Sequence, residues 1–202
     1  MRRADSRWSD DVRVLVDPAS VFRELSEDRR PGLWVLVRRS LLLAFVFGCV
    51  VSMEASGRFS VRLIADGMIS FAFVPVFEML ALAVVFRRQR HMIPFACAVD
   101  MFFVANAPWL LWLIGFSLLR AFESPIRATA MTTPIELSVL VTLLPTALWS
   151  AWIDLHYFRA VLPRPSGALR DLLLERAIAW SCSIGYFIGV AIWPEIVGRI
   201  LA

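Results

Sequence analysis

The sequence predicts an all-α polytopic membrane protein: five transmembrane helices with short amphipathic helices at the surface. Three observations carry that prediction. Hydrophobic residues make up 59% of the 202, and the mean hydropathy is +0.69, more than the polar surface of a soluble domain tolerates. The apolar residues gather in runs of about twenty, the length that crosses roughly 30 Å of hydrocarbon. The basic residues collect in alternate connections, as they do in helical membrane proteins.

The five predicted spans cover residues 33–53, 67–86, 92–119, 134–158 and 177–193. All 21 basic residues are arginine, a composition that points to a GC-rich bacterial coding sequence. Nine arginines precede or enter the first span, the turn at 87–90 adds three, and the connection between the fourth and fifth spans adds Arg159, Arg164, Arg170 and Arg176. The opposite side holds Arg58, Arg62, Arg120, Arg127 and Arg199, so the partition is sixteen against five. The positive-inside rule then places the N-terminus in the cytoplasm and the C-terminus outside, in a bacterial inner membrane. The net charge of +4 belongs to those loops, and no nucleic-acid partner is expected.

Residues 1–32 read as a cytoplasmic leader and 33–202 as the bundle. In "DPASVFRELSEDRRPG", Asp17 can cap a helix and Pro18 suits its first position. Val21, Phe22 and Leu25 share one face. Such a helix either lies on the cytoplasmic membrane surface or packs beneath the bundle. "GALRDLLLER" repeats the pattern, with Leu169, Leu172 and Leu173 as its apolar side, and "SGRFSVRLIAD" is a third amphipathic segment. The charged leader does not resemble a cleaved signal peptide.

Cys49, Cys97 and Cys182 fall in separate apolar runs with no CxxC spacing. They suggest neither a disulfide framework nor a zinc site. No Walker loop, dinucleotide fingerprint, GxSxG elbow or HExxH occurs, so neither enzymatic activity nor a cofactor or metal is expected. Asp154, His156 and His91 are placed at headgroup depth, where polar side chains cost little.

The chemistry is concentrated in Glu78, Asp100 and Asn106, the polar residues inside the second and third spans. Each acid stands roughly 12 Å from the cytoplasmic end of its span at a rise of 1.5 Å per residue. The short intervening turn makes contact between them geometrically available. An ionised acid at mid-membrane costs roughly 2.5–3.5 kcal/mol on insertion scales. Three arrangements relieve that cost: protonation, ion pairing with Arg38 or Arg39, or a wet path for a proton or cation. Asn106, just before Pro108, is placed to satisfy backbone groups freed by the proline or to bridge to a neighbouring helix. Two small-residue series, Ala44–Gly48–Ser52 and Ser181–Gly185–Gly189, are candidate packing faces, within the bundle or at a homodimer seam.

The leader "VDPASVFRELSED", five closely spaced spans, and the basic turn and proline of "RRQRHMIPFACAVDMFFVANAPWLL" together resemble the bacterial branch of the Yip family, five-span proteins named for Ypt/Rab interaction. Eukaryotic members act in vesicle traffic and bind prenylated Rab-type GTPases. Their acidic-aromatic cytoplasmic motif does not occur here, so the resemblance implies neither a Rab-directed role nor binding residues. The surface helices and small-residue faces point to a non-catalytic membrane interaction or scaffold protein, with the lipid bilayer and either a second copy or another membrane protein as partners. The alternative is a small proton- or ion-coupled transporter or channel component using Glu78 and Asp100.

Overall fold

The computed structural model describes residues 10–27, 32–87, 93–121, 134–162 and 165–201, and every regular element among them is helical. In chain order these are α1 (Asp10–Arg13), α2 (Pro18–Glu27), α3 (Leu33–Ser56), α4 (Val61–Phe71), α5 (Phe73–Arg87), α6 (Phe95–Ala105), α7 (Ala107–Ala121), α8 (Pro134–Val161) and α9 (Ala168–Leu201). A 3-10 turn, Pro165–Gly167, leads into α9. The basic-turn residues Arg88, Arg90 and His91, like Arg29 and Arg30, lie outside the described residues.

Among the described residues, three stretches are long and apolar enough to cross a membrane: Leu33–Ser56, Val61–Arg87 and Ala168–Val190. Phe95–Ala105 and Ala107–Leu119 make a fourth if the 44° bend between them lies within one span. Pro108 explains that bend, because its ring has no N–H for the helical ladder and crowds the preceding turn. The second stretch begins at Val61 rather than at 67, so "SGRFSVRLIAD" feeds directly into it. Among the described residues, α8 is not one of these spans. Asp154, His156 and Arg159 interrupt its apolar character over its last turns.

The α3–α4 pair shows how small residues set the packing. Gly57 (φ 64°) ends α3 in the left-handed region, and its N–H bonds the Met53 carbonyl, a glycine C-cap. The Ser52 hydroxyl, fully buried, donates to the Arg58 carbonyl and accepts the Ser60 N–H, each at 2.8 Å. The chain therefore folds back tightly. A Cβ on Gly48 would stand 2.4 Å from the Ile64 carbonyl oxygen, and one on Gly67 would stand 2.9 Å from the Gly48 Cα. Ala44, Gly48 and Ser52 are all buried, and this face is the crossing point of the two helices.

The second small-residue series behaves differently. Ser181, Gly185 and Gly189 are exposed, and a Cβ on either glycine would meet nothing within 4 Å. They do not pack within the bundle. α9 turns inward only near its start, through Ala168, Asp171, Leu172, Glu175 and Ala179, all buried, whereas no residue from Trp180 to Val190 is buried on any side of the helix. That inward face corrects the amphipathic reading of "GALRDLLLER". Leu169 and Leu173 are 57% and 61% exposed, Leu172 alone of the three leucines is buried, and two acids take the inward positions instead. The segment is also the opening of the long α9 and not a separate surface helix.

The N-terminal helices pack beneath the bundle. Asp17 Oδ1 accepts the Ser20 N–H at 3.2 Å and α2 begins at Pro18, the expected cap and first position. Val14, Val21 and Phe22 are at most 1% exposed. They join the same core as Phe102, Ile153, Tyr157 and Phe158. The apolar face of α2 is thus spent on protein, on α6 and α8, and not on lipid. Trp149 Nε1 of α8 donates to the Leu15 carbonyl at 3.3 Å, and Arg13 forks onto Glu24 at 2.8 and 2.9 Å.

Candidate functional site

Glu78 and Asp100 belong to two separate polar centres. The helices carrying them diverge: α5 runs chiefly along α9, whereas α6 lies against α3 and α8. Matched depth therefore does not bring the two acids together.

Asp100, 5% exposed, is held by both candidate arginines. Arg38 is bidentate, with Nε to Oδ1 at 2.8 Å and Nη2 to Oδ2 at 2.7 Å. Arg39 adds a bond from Nη1 to Oδ2, and its Nε reaches out to Asp11 at 3.0 Å. Two acids and two guanidiniums sum to zero charge. The planar fork of arginine matches a carboxylate, so the geometry fixes α3 against α6 and ties α1 to both.

The second centre is assembled from α5, α8, α9 and the α6–α7 junction. The Arg176 guanidinium bonds Asp154 Oδ2 through Nη2. Its Nη1 lies 3.9 Å from Glu78 Oε1 and its Nε lies 3.6 Å from Glu175 Oε2. Asn106 Nδ2 donates to Glu78 Oε2 at 3.2 Å, bridging the bend in the third apolar stretch to α5. The Ser150 hydroxyl stands 3.4 Å from Asp154 Oδ2, and the Arg176 Cζ sits 5.9 Å from the Phe102 ring centroid. Asp154 and Glu175 are fully buried.

Charge and hydrogen bonding are both unbalanced here. Three carboxyls face one guanidinium, so full ionisation would leave a buried charge of −2 (three acids less one base). Each uncompensated buried charge costs several kcal/mol even after relaxation. Among the described residues, four buried oxygens have no hydrogen-bond partner: Asn106 Oδ1, Asp154 Oδ1, and both oxygens of Glu175. Buried acceptors are ordinarily satisfied, and a group of orphans in one place signals an absent donor.

Around this centre the packing is aromatic. Tyr157, fully buried, donates to the Ala98 carbonyl at 2.9 Å and meets Phe22 and Phe102 edge-on at 5.7 and 5.5 Å. Phe22 of α2 thus closes one side. Phe73 stacks on Tyr186 at 4.4 Å farther along α5 and α9.

Sequence reasoning singled out Glu78, Asp100, Asn106, Arg38 and Arg39, but not Asp154, Glu175 or Arg176 as site residues. Asp154 sits in the protein interior and not among headgroups, because α2 and α9 cover the end of α8 that would otherwise face water. His156 is half-buried, and its ring nitrogen pairs with the Trp152 carbonyl at 2.9 Å. The available signal was the spacing of Asp171 and Glu175, which falls on one helical face. Leucines on both sides of the helix masked it. No group of His, Cys, Asp and Glu among the described residues is arranged to hold a metal ion. Compared with protein-family models, curated proteins and solved structures, the chain matches none.

Proposed function

We propose that this protein is a small proton- or ion-coupled membrane component whose working centre is Glu78, Asp154, Glu175 and Arg176. The observation that carries the reading is the excess of buried carboxyls over cations at that centre. A staple balances its charges, as Asp100 does with Arg38 and Arg39. A centre with two surplus acids changes charge when a cation arrives or leaves, which coupling requires. In this reading the chain crosses a bacterial cytoplasmic membrane five times, with α8 as the fourth crossing and the N-terminus inside. The arginine partition supports that topology, as does the clustering of α1, α2, Arg39, Asp100 and Tyr157 at one end. Purified protein in liposomes with a trapped pH dye tests the function. Wild type should relax an imposed proton gradient, and Glu78→Gln, Asp154→Asn and Glu175→Gln should each slow it at least tenfold. Wild-type liposomes no leakier than empty ones would refute coupling.

A specific observation also favours the interaction or scaffold reading that accompanies the Yip-like architecture. The Ser181–Gly185–Gly189 face is uncovered, and small residues at this spacing let a second helix approach closely. Cys182 is exposed beside it. A homodimer through this face should cross-link at Cys182 under mild oxidation in lipid and fail to do so in Cys182→Ser. A strictly monomeric protein without membrane partners would reject it.

A further inference from the structure

We propose, resting on the coupled reading above, that the ligand of the buried centre is the proton. At neutral pH the centre holds one proton on Glu175 and one on Glu78, while Asp154 stays ionised as the counterion of Arg176.

The three acids are ranked by their partners. Asp154 receives the hydrogen bond of Arg176 Nη2 and has the Ser150 hydroxyl at 3.4 Å. Glu78 receives one amide bond from Asn106 and has the guanidinium only at 3.9 Å. Among the described residues, Glu175 accepts no hydrogen bond at either oxygen, and the cation beside it is its chain neighbour's Nε at 3.6 Å. A buried carboxylate is stabilised by the donors it receives. Glu175 therefore has least reason to be charged, Glu78 comes next, and Asp154 has most.

The orphaned acceptors fit the same assignment. A carboxylic acid differs from a carboxylate by one O–H donor, the kind of group this centre lacks. Asn106 Oδ1 and Asp154 Oδ1 are buried acceptors without donors among the described residues, and two protonated acids supply two. Asn106 already bonds Glu78, and turning its amide over presents Oδ1 to a Glu78 hydroxyl. Each uptake takes one H⁺ from water and converts one carboxylate to the acid, so two uptakes bring the centre from −2 to zero. A metal ion suits the geometry poorly, since the guanidinium occupies the position between the carboxylates.

The other charged groups nearby are already engaged. On α9, Asp171 pairs with Arg170 at 3.4 Å. On α8, the Tyr157 hydroxyl is committed to Ala98. On α6, Asp100 is neutralised by the two arginines of α3, and on α2, Glu24 is bonded by Arg13.

Infrared spectroscopy of the full chain in lipid tests the proposal through the carbonyl stretch of protonated carboxyls. Wild type at neutral pH should show it, with one component lost in Glu175→Gln and another in Glu78→Gln. Asp154→Asn should also reduce it, because a remaining glutamate must then ionise to serve Arg176. Sodium added at constant pH should leave it unchanged. No protonated-carboxyl signal in wild type, a signal that both glutamine variants leave intact, or one that sodium abolishes would each overturn the assignment. The wild-type measurement needs no variant to fold. Signal without proton flux in liposomes would sustain the proton site and reject coupling. Flux without the signal would do the reverse.

Discussion

Arg38 grips Asp100 with two parallel bonds, Nε to Oδ1 at 2.8 Å and Nη2 to Oδ2 at 2.7 Å, and this fork locks the first apolar helix to the third apolar stretch. Removing Asp100 strands Arg39, whose side chain is 12% exposed, beside the more exposed Arg38, and breaking a buried pair costs up to about 3–5 kcal/mol. Asp100→Asn should therefore lower stability in detergent by that order, read by thermal unfolding. Adding Arg38→Gln and Arg39→Gln to it should recover part of the loss. Equal loss in single and triple variants would show that the pair contributes packing alone.

The Gly48–Gly67 crossing predicts a contrast between glycines. Gly48→Ala places a methyl 2.4 Å from the Ile64 carbonyl oxygen, and α3 and α4 must separate. Overpacking of this kind typically costs about 1–3 kcal/mol. Gly185→Ala and Gly189→Ala meet open space within the chain and should leave thermal stability unchanged. Their effect should appear only in oligomer assays.

Phe22 anchors the N-terminal helices against Tyr157 and Phe102. Phe22→Ala should cost about 3–5 kcal/mol, felt first as local release of α1 and α2. Limited proteolysis should then cut within residues 10–27 while the bundle stays whole. Uniform destabilisation with no new cleavage would contradict a docked segment.

Acid should loosen α2 through its cap. Hydrogen bonding from Ser20, side chain first and backbone N–H second, holds the Asp17 carboxyl below its usual range. A depressed folded-state value means that the cap's contribution is present above the ordinary carboxylate range and is lost as pH falls through the lowered value. Amide-exchange protection at the start of α2 should fall in that window, and Asp17→Asn should remove the pH dependence without removing the cap.

Much of the staple was legible beforehand. Asp100, Arg38 and Arg39 are charges in apolar runs, and such charges seek each other. Asn106 was likewise visible as a polar side chain beside Pro108. The second centre was only partly legible: Glu78 and Asn106 stood out within apolar runs, but Asp154, Glu175 and Arg176 lie in segments that read as interface. Asp154 and Arg176 each occupy a charged stretch near a predicted loop, and only the covering by α2 and α9 makes them interior.

The sequence alone determined a helical chain with several apolar runs long enough to cross a membrane, and which residues are too polar to sit in those runs unpartnered. Those properties are local: the length of an apolar run and the charge of a connection do not depend on which helix lies alongside. The tertiary structure decided which acids share a cation. That depends on the rotation of each helix about its axis and on its choice of neighbour. The pairing of α5 with α9 gave Glu78 to Arg176, and the pairing of α6 with α3 gave Asp100 to Arg38 and Arg39. Two acids at equal depth on successive apolar runs thus came to opposite situations, one neutralised and one in surplus.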